Sequence, residues 1–252
     1  MAHHLARSFK GHAHIRLVQA FNHRKSKSAI EFAKENGTEL VSDYNNIHTQ
    51  ADVYFICVKD DALADVVQRL SGLQLKGLLV HTSGSMDRSV LNTASKKTGV
   101  YYPLQTFSAA SVIDWKTTPV LIEANNASSL KVLKTLASSV SGTVKVVDSE
   151  TRLKLHLAAV FASNFTNALY AAAFGFVEAN LNKKDTALLY PLMKEAFTKL
   201  AKLSPKQAQT GPAMRHDTVV MKKHLALLRG DKQLGDLYKQ LSGLIVTQQT
   251  QT

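Results

Sequence analysis

Acidic residues are scarce in this chain: 19 Asp and Glu stand against 31 Lys and Arg, a formal charge of +12 over 252 residues. Such an excess attracts anions at long range, but it makes a nucleic-acid surface only when gathered into a stripe or interleaved with aromatics. Here the cations fall into small dispersed groups, at 24–27, 96–97, 183–184 and 222–223. That is the pattern of a solvated surface, and no nucleic-acid partner is expected. Cysteine is almost absent. The single Cys57 excludes an internal disulfide and fits a reducing compartment, the cytoplasm. Only 12 Gly and 5 Pro exclude collagen-like and low-complexity chains. No uninterrupted apolar run reaches the roughly 18 residues that would span a bilayer. The longest weakly polar stretch, 155–177, is broken by His156, Ser163, Asn164, Thr166 and Asn167, so no membrane partner is expected. The amino terminus, MAHHLARSFKGHAH, has no apolar signal core. What is present, 45% apolar residues, suffices for one large domain or two ordinary ones.

Residues 13–148 alternate short apolar runs with helix-like segments. The pattern predicts strands at 15–21, 53–58, 78–82, 100–102, 120–122 and 144–147, and helices at 26–36, 62–70, 88–97 and 128–139. Strands alternating with helices imply an α/β fold with a mostly parallel sheet covered on both faces. Continuous runs such as VYFICV fit strands buried on both sides. After Asp148 the chain turns rich in Ala, Leu and Phe. It reads as helix at 150–179, 185–203, 216–228 and 233–246. The predicted organisation is an α/β domain over 1–149 and an all-helical domain over 150–252.

A doubly wound dinucleotide-binding domain opens with a strand, a Gly-x-Gly-x-x-Gly loop and a helix whose amino end receives the pyrophosphate. This sequence opens on the helix, with Ala2, Leu5, Ala6 and Phe9 on one face. The run 15–21 then takes the place of the second strand. The first strand and glycine loop are missing, and two explanations stand: a sequence beginning at an internal methionine of a longer protein, or a fold that tolerates the gap. Because that strand is central in the usual order, its loss is expected to split the sheet.

The segment after the second-strand run is Asn22-His23-Arg24-Lys25-Ser26, with two cations and no carboxylate. An acidic residue there would hold a ribose 2′-hydroxyl, whereas Arg suits a 2′-phosphate. Asn22, Arg24 and Ser26 therefore point to NADP rather than NAD, beside the plainer reading of a basic loop without ligand. Ligands of open α/β sheets lie beyond the carboxyl ends of the strands. This places Val58, His81, Ser83 and Gly84 on the cofactor side, while Ser85 or Asp87 would cap the next helix. Gln105, in YPLQTFS after another strand, is a candidate substrate contact. On the long helix, regular spacing brings His156, Ser163 and Asn167 to one face, with Asn164 a step around. His156 is the natural proton carrier near neutral pH. Asn164 and Asn167 would orient substrate with Ser163, unless these groups simply stitch helices together. Arg215, after Gly211-Pro212, could clamp an acidic group. No metal site is expected, because His3-His4 and His12-x-His14 lack matching ligands.

The strings VHTSGS (80–85), GVYYPLQTFS (99–108), LHLAAVFASNFTNALY (155–170) and AQTGPAMRHD (208–217) resemble the family that pairs a Rossmann-like domain with a carboxyl-terminal domain of unknown function 2520. That family is similar in architecture to pyrroline-5-carboxylate reductase, the β-hydroxyacid dehydrogenases and deazaflavin-dependent NADP reductases. The resemblance implies an NADP-linked oxidoreductase acting on a small carbonyl, imine or hydroxy compound, and a homodimer built through the helical domain. A non-catalytic sensor of NADP or a metabolite is the alternative. Family members carry a strand and a Gly-x-Gly-Asn-type loop before the residues matching 2–6, and this sequence has neither.

Overall fold

The computed structural model describes residues 1–108 and 111–250. They form two compact units that divide between Asn164 and Phe165.

The first unit is α/β. Helix α1 (Ala2–Phe9) leads to strand β1 (Gln19–Phe21), helix α2 (Lys27–Asn36) and strand β2 (Glu39–Val41). These are followed by β3 (Val53–Ile56), α3 (Asp60–Leu70), β4 (Leu78–His81), β5 (Thr98–Pro103), β6 (Val120–Ala124), α4 (Ala127–Val140), β7 (Val144–Val146) and α5 (Ser149–Ala159). The expected split is present: β1 and β2 pair in parallel as one sheet, while β3-β4-β5-β6-β7 form another. Within the larger sheet only β5–β6 is antiparallel. β4 and β5 are buried along their whole length, as strands covered on both faces must be. One face packs Leu78, Val80, Tyr101, Ile122 and Leu133 together with Leu5 of α1. The other packs Ile56, Leu63, Val67, Leu79 and Leu91.

Differences from the sequence reading have local causes. The first strand run shortens to three residues, and β2 was not anticipated because Glu39-Leu40-Val41 is short and half polar. The predicted helix at 88–97 is a 3₁₀ helix over Arg88–Thr93, capped by Asp87, whose side chain accepts from Ser89 N–H at 2.7 Å. The helical region does begin at Ser149, but α5 belongs to the compact unit of the sheet, since Arg152 and Leu155 pack into it. The compact units therefore divide after Asn164.

The second unit carries α6 (Thr166–Asn180), α7 (Tyr190–Lys199), α8 (Pro205–Ala208), α9 (Thr218–Leu227) and α10 (Lys232–Thr250). The expected single helix over 185–203 is divided, a 3₁₀ helix at Lys183–Leu189 giving way to α7 with Pro191 in its first turn. Among its described residues, only Ala213, Gly235 and Ser242 are buried. Phe197, Leu188 and Leu227 are 78%, 74% and 69% exposed. The helix Ser149–Asn180 is 32 residues long, and one of its 18-residue windows is long and apolar enough for a bilayer by average composition. The polar residues that interrupt the run leave that average high.

Candidate active site

The candidate site lies in the first unit, where the carboxyl ends of β4 and β5 meet α5. Tyr102 stands near the end of β5, on the face shared with Val100, Leu121 and Val147. Its hydroxyl is 2.9 Å from Nδ1 of His156, with the two rings edge to face at 79°. Burial raises the Tyr102 phenol above its ordinary value, with Arg152 opposing. The hydroxyl therefore stays protonated near neutral pH and donates to Nδ1 when His156 carries its proton on Nε2.

Both rings lie over Gly84. A Cβ built there would sit 2.8 Å from His156 Nδ1 and 2.8 Å from Tyr102 Cζ, so this position requires glycine for the approach of the helix. The protein's own rings therefore pack against Gly84, one of the residues expected on the cofactor side. Ser83 remains on the partly exposed rim. Its Oγ accepts from the Ser85 and Met86 N–H groups at 3.1 and 3.0 Å, and Ser85 in turn donates to Asp60 at the start of α3.

His81 is 1% exposed. Its Nδ1 accepts from Ser83 N–H at 3.2 Å, so the proton resides on Nε2, which is buried without a hydrogen-bond partner. Burial, reinforced by the charge of Arg152, pushes its pKa down to about 4 against the opposing pull of the Asp87 backbone, Asp60 and Asp87. His81 is thus a neutral structural residue at physiological pH. Because the unfolded chain binds this proton near pH 6.5, His81 contributes stability above that value. The contribution is lost as pH falls to about 4, a difference of about 3 kcal/mol. Urea melts at pH 7, 5 and 4 are expected to show this loss, and the His81→Gln variant a flatter profile. An unchanged slope in the variant would remove the assignment.

Beneath this surface lies a buried ionic network. Arg152, fully buried, donates to Glu123 Oε2 at 2.5 Å, the Met86 carbonyl at 2.5 Å and Ser149 Oγ at 3.0 Å. Arg88 pairs with the other Glu123 oxygen at 3.4 Å and donates to Thr98 Oγ1 at 2.7 Å. Sequence reasoning missed Tyr102, Arg152, Glu123 and Arg88.

The remaining expected residues are dispersed. Asn22 Oδ1 accepts from Arg24 N–H at 3.1 Å, and Ser26 caps α2 by accepting from Ala29 N–H. This turn leaves Arg24 and Lys25 exposed. Val58 is exposed at the end of the β3 run, and Gln105 is exposed with its carbonyl oxygen accepting from Thr106 N–H. The polar stripe does not continue regularly past His156, because Val160–Phe165 is π-helical. An i→i+5 turn accommodates an extra residue, so a fixed 100° step fails across Ser163 and Asn164. Asn167 and Arg215 belong to the second unit. Arg215 is exposed and precedes α9, whose cap is Asp217, so neither lies in that helix's first turn. An apolar cavity of about 170 Å³ within the second unit is lined by Gly211, Pro212, Ala213, Tyr238, Leu241 and Ile245 among others, and Arg215 is not among its lining residues.

The sequence of residues 118–245 matches the profile of the domain of unknown function 2520. The chain belongs to the DUF2520 family. Among solved structures, BF3122 from Bacteroides fragilis, a "putative NADP oxidoreductase", is 36% identical, with 98% of this chain and 92% of that one covered and a TM-score of 0.86. Protein TM1727 from Thermotoga maritima is 22% identical, covering 97% and 94%, with a TM-score of 0.76. An imine reductase from Myxococcus stipitatus, solved with NADP⁺, shares the fold at 16% identity, 98% and 89% coverage and a TM-score of 0.59. No curated protein matches the chain. As a DUF2520 protein it has the Rossmann-like sheet and helical carboxyl-terminal region read from the sequence.

Proposed function

We propose that this DUF2520 protein is an NADP-linked oxidoreductase acting on a small carbonyl, imine or hydroxy compound. The observation that carries the reading is the Tyr102–His156 hydrogen bond at the carboxyl ends of β4 and β5, where α/β sheets place their ligands. The NADP oxidoreductase and imine reductase among its structural neighbours support it.

The residues after β1 fit a nucleotide 2′-phosphate. Arg24 and Lys25 are exposed cations, and Ser26 stands at the amino end of a ten-residue helix with no acidic residue in its first turn, which favours an anion. Arg24 and Ser26 would hold that phosphate, with Ser83 on the ring side. When bound, the nicotinamide supplies or takes up a hydride. In the reductive direction Tyr102 gives its hydroxyl proton to the substrate heteroatom. The imidazole of His156 then relays a replacement proton from solvent to the phenolate oxygen. Binding without turnover, the sensor reading, leaves the Tyr102–His156 pair without a task.

Calorimetry with NADP and NAD tests the cofactor choice. NADP is expected to bind more tightly, and Arg24→Ala to cost it about tenfold or more, the value of a charge-assisted hydrogen bond. Equal or tighter binding of NAD would overturn it. The exposed Leu188, Leu192, Phe197 and Leu227 are each worth about 1.5–3 kcal/mol when covered. We assign that cover to a second copy of the chain rather than to a bilayer. Light scattering in detergent-free buffer is expected to give the mass of two chains; a single-chain mass would contradict it.

A further inference from the structure

We propose that Arg152 is the positioning residue of the Tyr102–His156 pair, a guanidinium clamp that fixes the register of α5 along β5. The proposal rests on the reading of that pair as the proton-handling site, and three geometric facts lead to it. First, Arg152 and His156 are four residues apart on α5 and so share a face, about 6 Å apart along the axis. Second, Glu123, which accepts from Arg152, is the sheet partner of Val100, and Tyr102, which is hydrogen-bonded to His156, lies two residues further along β5. Two strand residues rise about 6.6 Å, so the helix spacing matches the strand spacing and both contacts close at once. Third, the second Nη of Arg152 holds the Met86 carbonyl, two residues beyond Gly84. One side chain therefore ties together the helix, the sheet and the loop that forms the floor beneath His156.

The charge count supports a purpose beyond packing. Arg88 alone would neutralise Glu123, since it reaches the other carboxylate oxygen. Adding the fully buried Arg152 brings a desolvation cost and leaves its own Nε without a partner. What it contributes that Arg88 does not is the simultaneous hold on α5 and on the Met86 carbonyl. A lysine cannot reproduce a two-sided planar fork.

The test is nitrogen-detected NMR of histidine-labelled protein, following the hydrogen-bonded Nδ1 of His156 and the hydrogen-bonded hydroxyl proton of Tyr102. In Arg152→Met, which leaves the Arg88–Glu123 pair intact, and in Arg152→Lys, which restores charge but not the fork, both signatures are expected to be lost while the amide spectrum stays folded. Should Arg152→Met fail to fold, Arg152→Lys alone decides the matter. Retention of the wild-type His156 and Tyr102 signals in a folded variant overturns the clamp, whatever the protein catalyses. Retention of full turnover by Tyr102→Phe would instead overturn the catalytic reading and leave the clamp standing.

Discussion

Glu123→Ala is expected to be the most destabilising single change in the sheet unit, lowering stability by about 3–5 kcal/mol, the cost of leaving a buried charge without its partner. The reason is stoichiometric. Glu123 is shared by Arg88 and Arg152, with side chains 20% and 1% exposed, and it also accepts from the Ser149 hydroxyl at 2.7 Å. Its removal strands two cations at once, and Arg152 is fully buried. Removing Arg152 is milder, because Arg88 then balances the glutamate. Exposed pairs on the same helix, such as Lys154–Glu150, are each worth at most about 1 kcal/mol. Equilibrium urea unfolding of Glu123→Ala, Arg152→Met and Glu150→Ala is expected to rank them in that order. A Glu123→Ala loss below about 1 kcal/mol would mean the network is solvated.

The sheet was legible because its signal is local. Runs such as VYFICV and GLLVH announce strands buried on both faces, and Gly37 stops α2 in the left-handed region as its position suggests. Even the split sheet followed from the strand order. The site was half legible for the same reason. His81, Ser83, Gly84 and His156 sit in polar strings where apolar residues were due, so they drew attention. Tyr102 did not, since a tyrosine alternating with Val100 in a strand looks like core, and its partner lies 54 residues away. Arg152 looks like one more solvated helix charge until Glu123, 29 residues distant, is brought beside it. Nothing in the spacing announces the π-helical turn at Val160–Phe165. It defeats a face drawn by constant rotation through Ser163 and Asn167.

Tyr102→Phe and His156→Ala are expected to lower turnover by about 10²–10⁴-fold, the usual contribution of a positioned proton donor, or about 3–5 kcal/mol of barrier. Neither is expected to change NADP affinity appreciably, because the proposed phosphate contacts lie at Arg24 and Ser26. The two substitutions are also expected to be strongly non-additive. If the phenol gives the proton and the imidazole restores it, Tyr102→Phe removes the whole path, and adding His156→Ala to it costs little more. His156→Ala alone leaves the phenol in place without the imidazole that restores its proton. Its loss should be the smaller of the two and should shrink as pH falls, when solvent supplies the proton more readily. Oxidation of NADPH in the presence of small cyclic imines and keto acids, followed at 340 nm for wild type, both single variants and the double variant, reads this directly. Additive losses would separate the two residues into independent roles, and a fully active Tyr102→Phe would return the hydroxyl to the core it resembles in sequence.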